Sequence, residues 1–167
     1  MPRLSTLFAT FLTLSVSIAP VLSLTPGVYT IEQQLPGQDN SYMSARFGYD
    51  KEISMSPRRE RDGQQEWIVR QLTEDEFTIT NGKFDCQLVK GTGASGRPSP
   101  ICGDQGQLIV ATPVFLARDS YTLDFDNGGR FYRNRSQQNV TLVTASDGPL
   151  EQADLPSVAF IFRPLTQ

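Results

Sequence analysis

Histidine is absent from this chain of 167 residues, and cysteine occurs only twice. Without histidine, neither a Ser-His-Asp triad nor a Cys-His pair can form, and histidine metal sites are excluded. The sequence also has no phosphate-binding glycine motif ahead of a helix, and no basic stripe interleaved with aromatic residues. We therefore expect no catalytic residue, no cofactor, no metal and no nucleic-acid partner.

Acidic residues are the one catalytic resource present in quantity, with 18 Asp and Glu against 15 Lys and Arg. A two-carboxylate glycosidase is therefore formally open. The acidic cluster at 74–76, however, lies at a turn before a predicted strand, where a solvated face is the ordinary explanation. No pair of carboxylates stands out, and we expect a protein that is not an enzyme.

The N-terminus has the pattern of a secretory signal peptide. Arg3 is followed by an apolar run over 4–19, and then by Pro20 and the small residue Ser23. This pattern is typical of cleaved signals, and the apolar run is too short and too rich in Ser and Thr for a comfortable membrane span. We predict a signal peptide over 1–23 and a secreted single domain over 24–167, with no membrane contact after cleavage. Nothing in the sequence indicates oligomerisation, so we expect a monomer.

Export to an oxidising compartment makes a bridge between Cys86 and Cys102 the expected state of the two cysteines. The bridge would enclose 15 residues, and closing a loop of that size stabilises by roughly 3 kcal/mol in the chain-entropy model. Asn134 and Asn139 each begin an Asn-x-Ser/Thr sequon, which predicts N-glycosylation. These features fit a eukaryotic secreted glycoprotein.

Three short strings repeat along the chain, each with an aromatic residue, Thr and an aliphatic residue in a row. They lie at 29–31, 77–79 and 121–123, so their aromatic residues are 48 and 44 positions apart. A second marker, a bulky apolar segment, follows in phase at Trp67, more loosely at Leu108, and at Phe160. Self-similarity at a nearly fixed period is the mark of a repeat fold, so we predict three pseudo-repeats.

Proline and glycine punctuate the chain at short intervals, and no stretch has helical periodicity, which predicts an all-β protein. We place strands near 27–33, 42–47, 52–56, 66–72, 76–80, 83–89, 107–111, 113–117, 120–126, 129–133, 139–144 and 158–164. Twelve strands in three pseudo-repeats is the composition of a β-trefoil, and this is the predicted fold.

Two tight hairpins and one long loop are predicted between these strands. Asn81-Gly82 favours a type I′ turn, and residues 126–129 favour an equivalent hairpin one repeat later. The segment 91–106 is rich in Gly, Ser and Pro and poor in apolar residues. We interpret it as a long, exposed and mobile loop whose base is tied by the cysteine pair.

With catalysis set aside, recognition through loops is the remaining class of function, because rigid scaffolds commonly present variable loops for binding. Gln65-Glu66-Trp67 matches the Gln-x-Trp motif of ricin-type lectins and favours a carbohydrate-binding trefoil. The motif occurs only once, and a structural Trp in the core is the more ordinary explanation. A lipocalin-like barrel is a third possibility, but it should show Gly-x-Trp near its first strand, and the only Trp is at 67.

Two segments resemble a known family. Leu24–Ile31 contains Pro-Gly-Val-Tyr-Thr-Ile. It resembles the opening Pro-Gly-x-Tyr-x-Ile of the fungal trefoil peptidase inhibitors, which are the mycocypins and the related serine-peptidase inhibitors of mushrooms. Trp67-Ile68-Val69 resembles the Trp-centred strand that closes their first repeat. The resemblance implies a β-trefoil of fungal origin that inhibits a serine or cysteine peptidase through loops inserted into the active-site cleft.

The resemblance and the needs of such loops make three residues candidates for the inhibitory position. Lys51 lies between the second and third predicted strands, a connection that members of the family use against serine peptidases. Asn81 lies in the hairpin between the fifth and sixth strands, where some mycocypins use Asn against asparagine-specific cysteine peptidases. Arg97, in the cysteine-tied segment, offers the basic side chain that a trypsin-like specificity pocket accepts. Peptidase inhibition is thus the main expectation, and carbohydrate binding is the alternative.

Overall fold

The computed structural model describes residues 23–94, 96–114, 117–133, 141–146 and 155–165. The predicted signal peptide up to residue 22 and both sequon residues, Asn134 and Asn139, lie outside the described residues. Over the described ranges the all-β prediction is confirmed, with two short exceptions: a 3-10 helix at Gly63–Gln65 and a helix α1 at Leu155–Val158. The strands are β1 (Gly27–Gln33), β2 (Ser41–Ser44), β3 (Ser54–Ser56), β4 (Trp67–Gln71), β5 (Glu76–Asn81), β6 (Gln87–Thr92), β7 (Pro98–Gly103), β8 (Ile109–Pro113), β9 (Ser120–Phe125), β10 (Arg130–Arg133), β11 (Thr141–Ser146) and β12 (Ala159–Pro164).

Six of these strands pair in a closed ring. In order around the ring they are β1, β4, β5, β8, β9 and β12, and β12 pairs again with β1. Every pairing in the ring is antiparallel. Closure removes the open edges that a sheet would otherwise present, so the barrel is a self-contained scaffold.

The repeated strings mark the strands of this barrel. The three aromatic-Thr-aliphatic strings lie on β1, β5 and β9, and the second markers lie on β4, β8 and β12. In each case the aromatic residue is the register partner of the apolar marker that follows it: Tyr29 with Trp67, Phe77 with Ile109, and Tyr121 with Phe160. Ile109, not Leu108, therefore occupies the middle marker position. The division of the whole chain into three equivalent units stays a prediction.

The barrel interior is filled with aromatic and branched side chains. Trp67 is fully buried, and its indole Nε1 donates to the Met43 carbonyl at 2.9 Å. Phe162 meets Tyr29 and Tyr121 edge-on, each with ring centroids 5.6 Å apart. Edge-to-face contacts of this kind stabilise a core beyond the area that they bury. The Trp of the single Gln-x-Trp motif is thus a core residue.

The remaining strands form the hairpins β2–β3, β6–β7 and β10–β11, and β11 also pairs with β3. The β6–β7 hairpin corrects the prediction of a long loop over 91–106, because six register pairs join the two strands, from Gln87–Gly103 to Thr92–Pro98. A Cβ on Gly91 would lie 2.4 Å from Cδ1 of Ile101, and one on Gly103 would lie 2.5 Å from Cγ2 of Val89. These glycines admit cross-strand side chains and do not loosen the chain.

Two further predictions about local structure need correction. Pro113 ends β8, so the strand predicted over 113–117 is not formed at its described residues. The β5–β6 connection is not a two-residue type I′ turn: it spans 82–86, and Asp85, with φ of 53°, is its left-handed residue. The Asn81 side chain organises this turn, since its Oδ1 accepts the backbone N–H groups of Lys83 and Phe84, both at 3.2 Å.

The hairpin predicted at 126–129 is confirmed. β9 ends at Phe125 and β10 begins at Arg130. The Phe125 N–H donates to the Gly129 carbonyl at 3.0 Å, and the Gly128 N–H donates to the Phe125 carbonyl at 2.9 Å.

Candidate functional site

Lys51 lies in the connection between β2 and β3, and its side chain is exposed. This connection is fixed to β7 by main-chain hydrogen bonds. The Asp50 N–H donates to the Cys102 carbonyl at 2.8 Å, the Cys102 N–H donates to the Lys51 carbonyl at 3.0 Å, and the Ile53 N–H donates to the Pro100 carbonyl at 2.9 Å. The segment is therefore held in place before any partner arrives.

The same hydrogen bonds speak against a substrate-like role for Lys51. A substrate-like inhibitor places the carbonyl oxygen of its key residue in the oxyanion hole of the peptidase. The Lys51 carbonyl is already an acceptor for Cys102, and Asp50, immediately before it, has a left-handed φ of 54°. The side chain is available, but the main chain around it is neither extended nor free.

Asn81 is fully buried at the end of β5. Its amide Nδ2 donates to the carbonyls of Gln64 and Glu66, at 3.0 and 3.2 Å, while its Oδ1 organises the β5–β6 turn. An inhibitory residue must be exposed on a loop, and Asn81 is not. The structure gives this side chain a structural task that explains it completely.

Arg97 lies at the tip of the β6–β7 hairpin, and its side chain is exposed. Its carbonyl accepts the Gly93 N–H at 2.8 Å, and Pro98 follows it as the first residue of β7. The structure brings Arg97 and Lys51 to neighbouring segments, because Glu52 pairs with Ile101 in β7 and its Oε1 lies 3.3 Å from the Ser99 hydroxyl. Asn81 does not join them at the surface.

A disulfide joins Cys86 and Cys102, with Cα atoms 5.3 Å apart, and both residues are buried. The predicted pairing is confirmed, and no free cysteine occurs among the described residues. The bridge links the β5–β6 turn to β7. Because Cys102 is also the residue that holds Asp50 and Lys51, the disulfide supports the β2–β3 connection from behind.

Sequence reasoning missed the most exposed part of this connection. Residues 46–51, here called the Arg46–Lys51 loop, expose half of the surface of Phe47 (50%) and nearly as much of Tyr49 (45%). The Arg46 guanidinium lies 5.5 Å from the centroid of the Phe47 ring. The prediction of a strand over 42–47 is wrong at its end, because β2 ends at Ser44, and it placed Phe47 in the sheet and not on the exposed loop.

Gln65, the other member of the Gln-x-Trp motif, is also structural. Its Nε2 donates to the Ser56 hydroxyl at 3.0 Å and to the Pro57 carbonyl at 2.9 Å, and its Oε1 accepts the Arg59 N–H at 2.9 Å. All polar atoms of the amide are thus used. The side chains of Gln65 and Trp67 thus offer no free polar group to a ligand.

A pocket of about 410 Å³, here called the β1–β2 pocket, is lined in part by the connection between β1 and β2. One wall is a turn at Leu35–Gln38, where Pro36 precedes Gly37 with φ of 71° and the Gln38 N–H donates to the Leu35 carbonyl at 3.1 Å. Pro followed by a left-handed Gly is the signature of a type II turn. The described residues that line this β1–β2 pocket are Gln34, Leu35, Pro36, Asn40, Ala117, Ser120, Pro156, Ala159 and Ile161.

The pocket combines an apolar floor with a few polar groups. Ser120 is occupied, since its hydroxyl lies 2.8 Å from the Val114 carbonyl and 2.7 Å from the Ala117 carbonyl. Gln34 uses only its Nε2, which donates to Glu32 at 3.2 Å and leaves Oε1 as an acceptor. Asn40 is exposed, and within the described part of the chain its side chain forms no hydrogen bond. Two amide groups are therefore open to a ligand.

Neither a shifted pKa nor a metal site helps to identify a function for the Arg46–Lys51 loop or the β1–β2 pocket within the described residues. Burial, with smaller contributions from Asp119 and Tyr29, raises the pKa of the Tyr121 phenol, and burial lowers the pKa of Arg133. Within the described ranges, no group of three or more Asp, Glu or Cys side chains is arranged to hold a metal ion. Nor does any helix in these ranges have the length and apolar character needed to cross a membrane.

No protein-family model matches this sequence, and no curated protein matches it. Solved structures do match. The agglutinin of Rhizoctonia solani has a TM-score of 0.67 at 13% identity, over 88% of this chain and all of the agglutinin (100%). The designed three-fold symmetric protein ThreeFoil has a TM-score of 0.64 at 11% identity, over 83% of this chain and 99% of the designed one.

A lectin of Polyporus squamosus, solved with the epitope Neu5Acα2-6Galβ1-4GlcNAc, has a TM-score of 0.64 at 14% identity. The match covers 86% of this chain and 51% of the lectin, so this chain spans about half of that protein. All three structures are β-trefoil proteins. At these identities the likeness shows the fold alone. The chain is an all-β protein with the β-trefoil fold, and the likeness does not extend to the inhibitor family specifically.

Proposed function

We propose that this protein binds carbohydrate in the β1–β2 pocket and acts as a lectin. The observation that carries the proposal is the pocket itself, in which the free Oε1 of Gln34 and the free amide of Asn40 lie beside an apolar floor. Ligand pockets are typically apolar with a few placed polar groups. Amide side chains both donate and accept hydrogen bonds, which suits sugar hydroxyls.

The fold neighbours support this choice over peptidase inhibition. Two of the similar structures are an agglutinin and a lectin, and the latter holds a glycan epitope. The agglutinin and the designed protein ThreeFoil are not enzymes, which is consistent with the expectation that this chain has no catalytic residue. The inhibitor reading has lost part of its basis, because Asn81 is buried and the carbonyls of Lys51 and Arg97 are hydrogen-bonded.

The test is glycan binding by the wild type and by variants of the pocket. The labelled protein is applied to a glycan array, and the strongest ligand is titrated by calorimetry. Gln34→Ala combined with Asn40→Ala should weaken binding roughly tenfold or more, because each removes a hydrogen bond to the ligand. Gln38→Ala is the matched control: this glutamine is exposed in the same connection but does not line the pocket. Failure of every glycan to bind would reject the proposal.

Peptidase inhibition is the second candidate, and the Arg46–Lys51 loop is the observation that favours it. Exposed aromatic and Arg side chains are typical anchors of protein interfaces, and a loop that is already ordered avoids the entropic cost of binding. Such inhibition would use the outer face of the loop without presenting a scissile bond. Trypsin, papain and an asparaginyl endopeptidase form the test panel. Inhibition that is lost in Phe47→Ala with Lys51→Ala, and retained in Gln34→Ala, would favour this candidate over the lectin.

We also propose that residues 24–167 act outside the cell as a single, monomeric, glycosylated domain. The disulfide and the absence of a spanning helix from the described ranges are compatible with secretion. Mass spectrometry of protein from the culture medium of a eukaryotic host tests the cleavage after Ser23 and the use of Asn134 and Asn139. Light scattering of the same sample gives its mass in solution.

A further inference from the structure

The structure assigns the β1–β2 pocket to uncharged saccharides, as opposed to sialylated or sulfated ones. This inference rests on the proposed function and names the class of sugar that the site selects. No lining residue in the described part of the chain carries a charged side chain. The class of sugar therefore depends on whether the charged side chains near the pocket are paired within the protein or are available to a ligand.

Glu32 and Arg163 are the first charges to consider, because Glu32 is the residue that holds Gln34. Glu32 is 4% exposed, and its Oε1 accepts from Arg163, from Nη2 at 2.9 Å and from Nε at 3.0 Å. Both nitrogens contact the same carboxylate oxygen in a charge-assisted interaction. The guanidinium is thus paired within the protein, and Arg163 is not among the described residues that line the pocket.

The second charged pair lies next to Ala117 in the chain. Arg118 and Asp119 are neighbours, and Nε of Arg118 lies 3.7 Å from Oδ2 of Asp119. Arg118 is strongly exposed, so its attraction to a bound anion would be screened by water. It is not one of the lining residues and contributes no fixed cation to the pocket.

Gln34 itself shows which polarity remains. One N–H of its Nε2 donates to Glu32, which orients the amide, and its Oε1 remains a free acceptor for a ligand. An acceptor favours a hydroxyl or amide donor and disfavours a carboxylate or sulfate, which carries only acceptor oxygens. The Glu32–Arg163 pair thus acts through Gln34, as a positioning pair that sets the direction of its amide.

An anion in this site would meet no cationic side chain among the described lining residues. Charged groups that lose water need a paired cation or several donors, and an unpaired one is strongly disfavoured. The remaining lining residues are mostly apolar: Leu35, Pro36, Ala117, Pro156, Ala159 and Ile161. Such a floor fits the apolar face of a sugar ring and offers nothing to an acidic substituent.

The test uses matched glycans that differ only in charge. Lactose and N-acetyllactosamine, their sialylated and sulfated forms, and chitotriose are titrated into the full-length mature protein. We expect at least one neutral member to bind, and its acidic form to bind at least tenfold more weakly. Gln34→Ala should weaken the neutral ligand, and Gln38→Ala should not. Equal or tighter binding of an acidic form, lost in Gln34→Ala, would overturn this inference while the proposed function stands. Binding by no member would overturn both.

A variant that introduces a positive charge gives a second test, in which binding of the acidic glycan is gained and not lost. Asn40→Lys places a cation at the exposed edge of the pocket, where the existing side chain makes no hydrogen bond within the described residues. It should reduce the ratio of the neutral to the acidic glycan's affinity severalfold, mainly because the acidic glycan binds more tightly. An unchanged ratio in a folded Asn40→Lys variant would contradict the inference, because the charge of the pocket would then not set the preference.

Discussion

The β1–β2 pocket and the Arg46–Lys51 loop belong to successive connections of the chain, but they differ in shape and in charge. The pocket is concave, and its described lining is uncharged. The loop projects Phe47 and Tyr49 into solvent between Arg46 and Lys51. A concave uncharged site suits a small ligand, whereas a projecting aromatic loop suits a larger partner. Exposed aromatic residues alone therefore do not identify the site for a sugar.

The two surfaces also differ in what holds them in place. The pocket is built from the β1–β2 turn and from the barrel strands β9 and β12. The loop depends on β7 and on Cys102, which bonds to Asp50 and Lys51 through its main chain. Because the supports are separate, each surface can be perturbed without the other. The following experiments use that separation, from the largest expected effect to the smallest.

Removal of the disulfide should affect the loop and spare the pocket. Cys86→Ser with Cys102→Ser should lower the free energy of unfolding by roughly 3 kcal/mol, as expected for a bridge over a loop of this size. Urea unfolding measures the loss, and hydrogen exchange measures the release of the Asp50 and Ile53 amides, which bond to Cys102 and Pro100. Sugar affinity should be unchanged while the variant is folded. Equal loss of both surfaces would show that they are not independent.

Two buried glutamines should respond in opposite ways to the same substitution. Gln65→Met, on the loop side, leaves the Arg59 N–H and the Ser56 hydroxyl without their partner, at a cost of about 1–3 kcal/mol. Gln33, on the pocket side, is fully buried, and its amide atoms have no partner within the described residues. Gln33→Met should be neutral or stabilising by about 1 kcal/mol, since no hydrogen bond is lost. Thermal unfolding of both variants is the measurement, and a similar loss in both would refute the distinction.

Substitution of two glycines that have a left-handed backbone tests the two surfaces separately, with a smaller expected loss of stability. Gly37 has φ of 71° in the pocket turn, and Gly48 has φ of 77° in the loop. Alanine at either position should cost about 1–2 kcal/mol, because a Cβ is disfavoured in this conformation. Gly37→Ala should also weaken sugar binding, and Gly48→Ala should not. Calorimetric titration of both variants makes the comparison, and a loss confined to Gly48→Ala would move the site to the loop.

The smallest effect is expected for the exposed aromatic residues. Phe47→Ala with Tyr49→Ala should change the free energy of unfolding by no more than about 0.5 kcal/mol, as is usual for surface positions. Sugar affinity should stay the same. If the loop is the inhibitory surface, the same variant loses inhibition of the target peptidase. A clear loss of glycan binding would instead make these rings the sugar platform.

The barrel was the most predictable part of the molecule. Tyr29, Phe77 and Tyr121 could be recognised because a repeated fold places similar side chains at equivalent core positions, and burial restricts what each can be. The disulfide could be predicted from two cysteines in a chain whose N-terminal sequence predicts export. The β6–β7 hairpin was not predicted, because glycines such as Gly91 and Gly103 occur both in flexible loops and in strands that leave room for a neighbouring side chain. Their role in admitting Ile101 and Val89 depends on a neighbouring strand that a sequence does not show.

The pocket was less predictable than the fold because its walls are distant in sequence. Gln34 and Asn40 come from one connection, whereas Ala159 and Ile161 come from the last strand. Pro36-Gly37 is typical of a turn, but a turn sequence does not say what lies opposite it. The free acceptor of Gln34 depends on Glu32, which depends in turn on Arg163 at the far end of the chain. Site chemistry here arises from tertiary pairing.

The most direct test of a sugar site in the β1–β2 pocket is a titration followed residue by residue. The isotope-labelled protein is titrated with its best neutral glycan, and backbone amide shifts are recorded by NMR. We expect saturable shifts concentrated at the amides of 34–40 and 157–161, with the amides of 46–51 unmoved. Shifts confined to 46–51, or no shifts with any glycan that binds on the array, would contradict it.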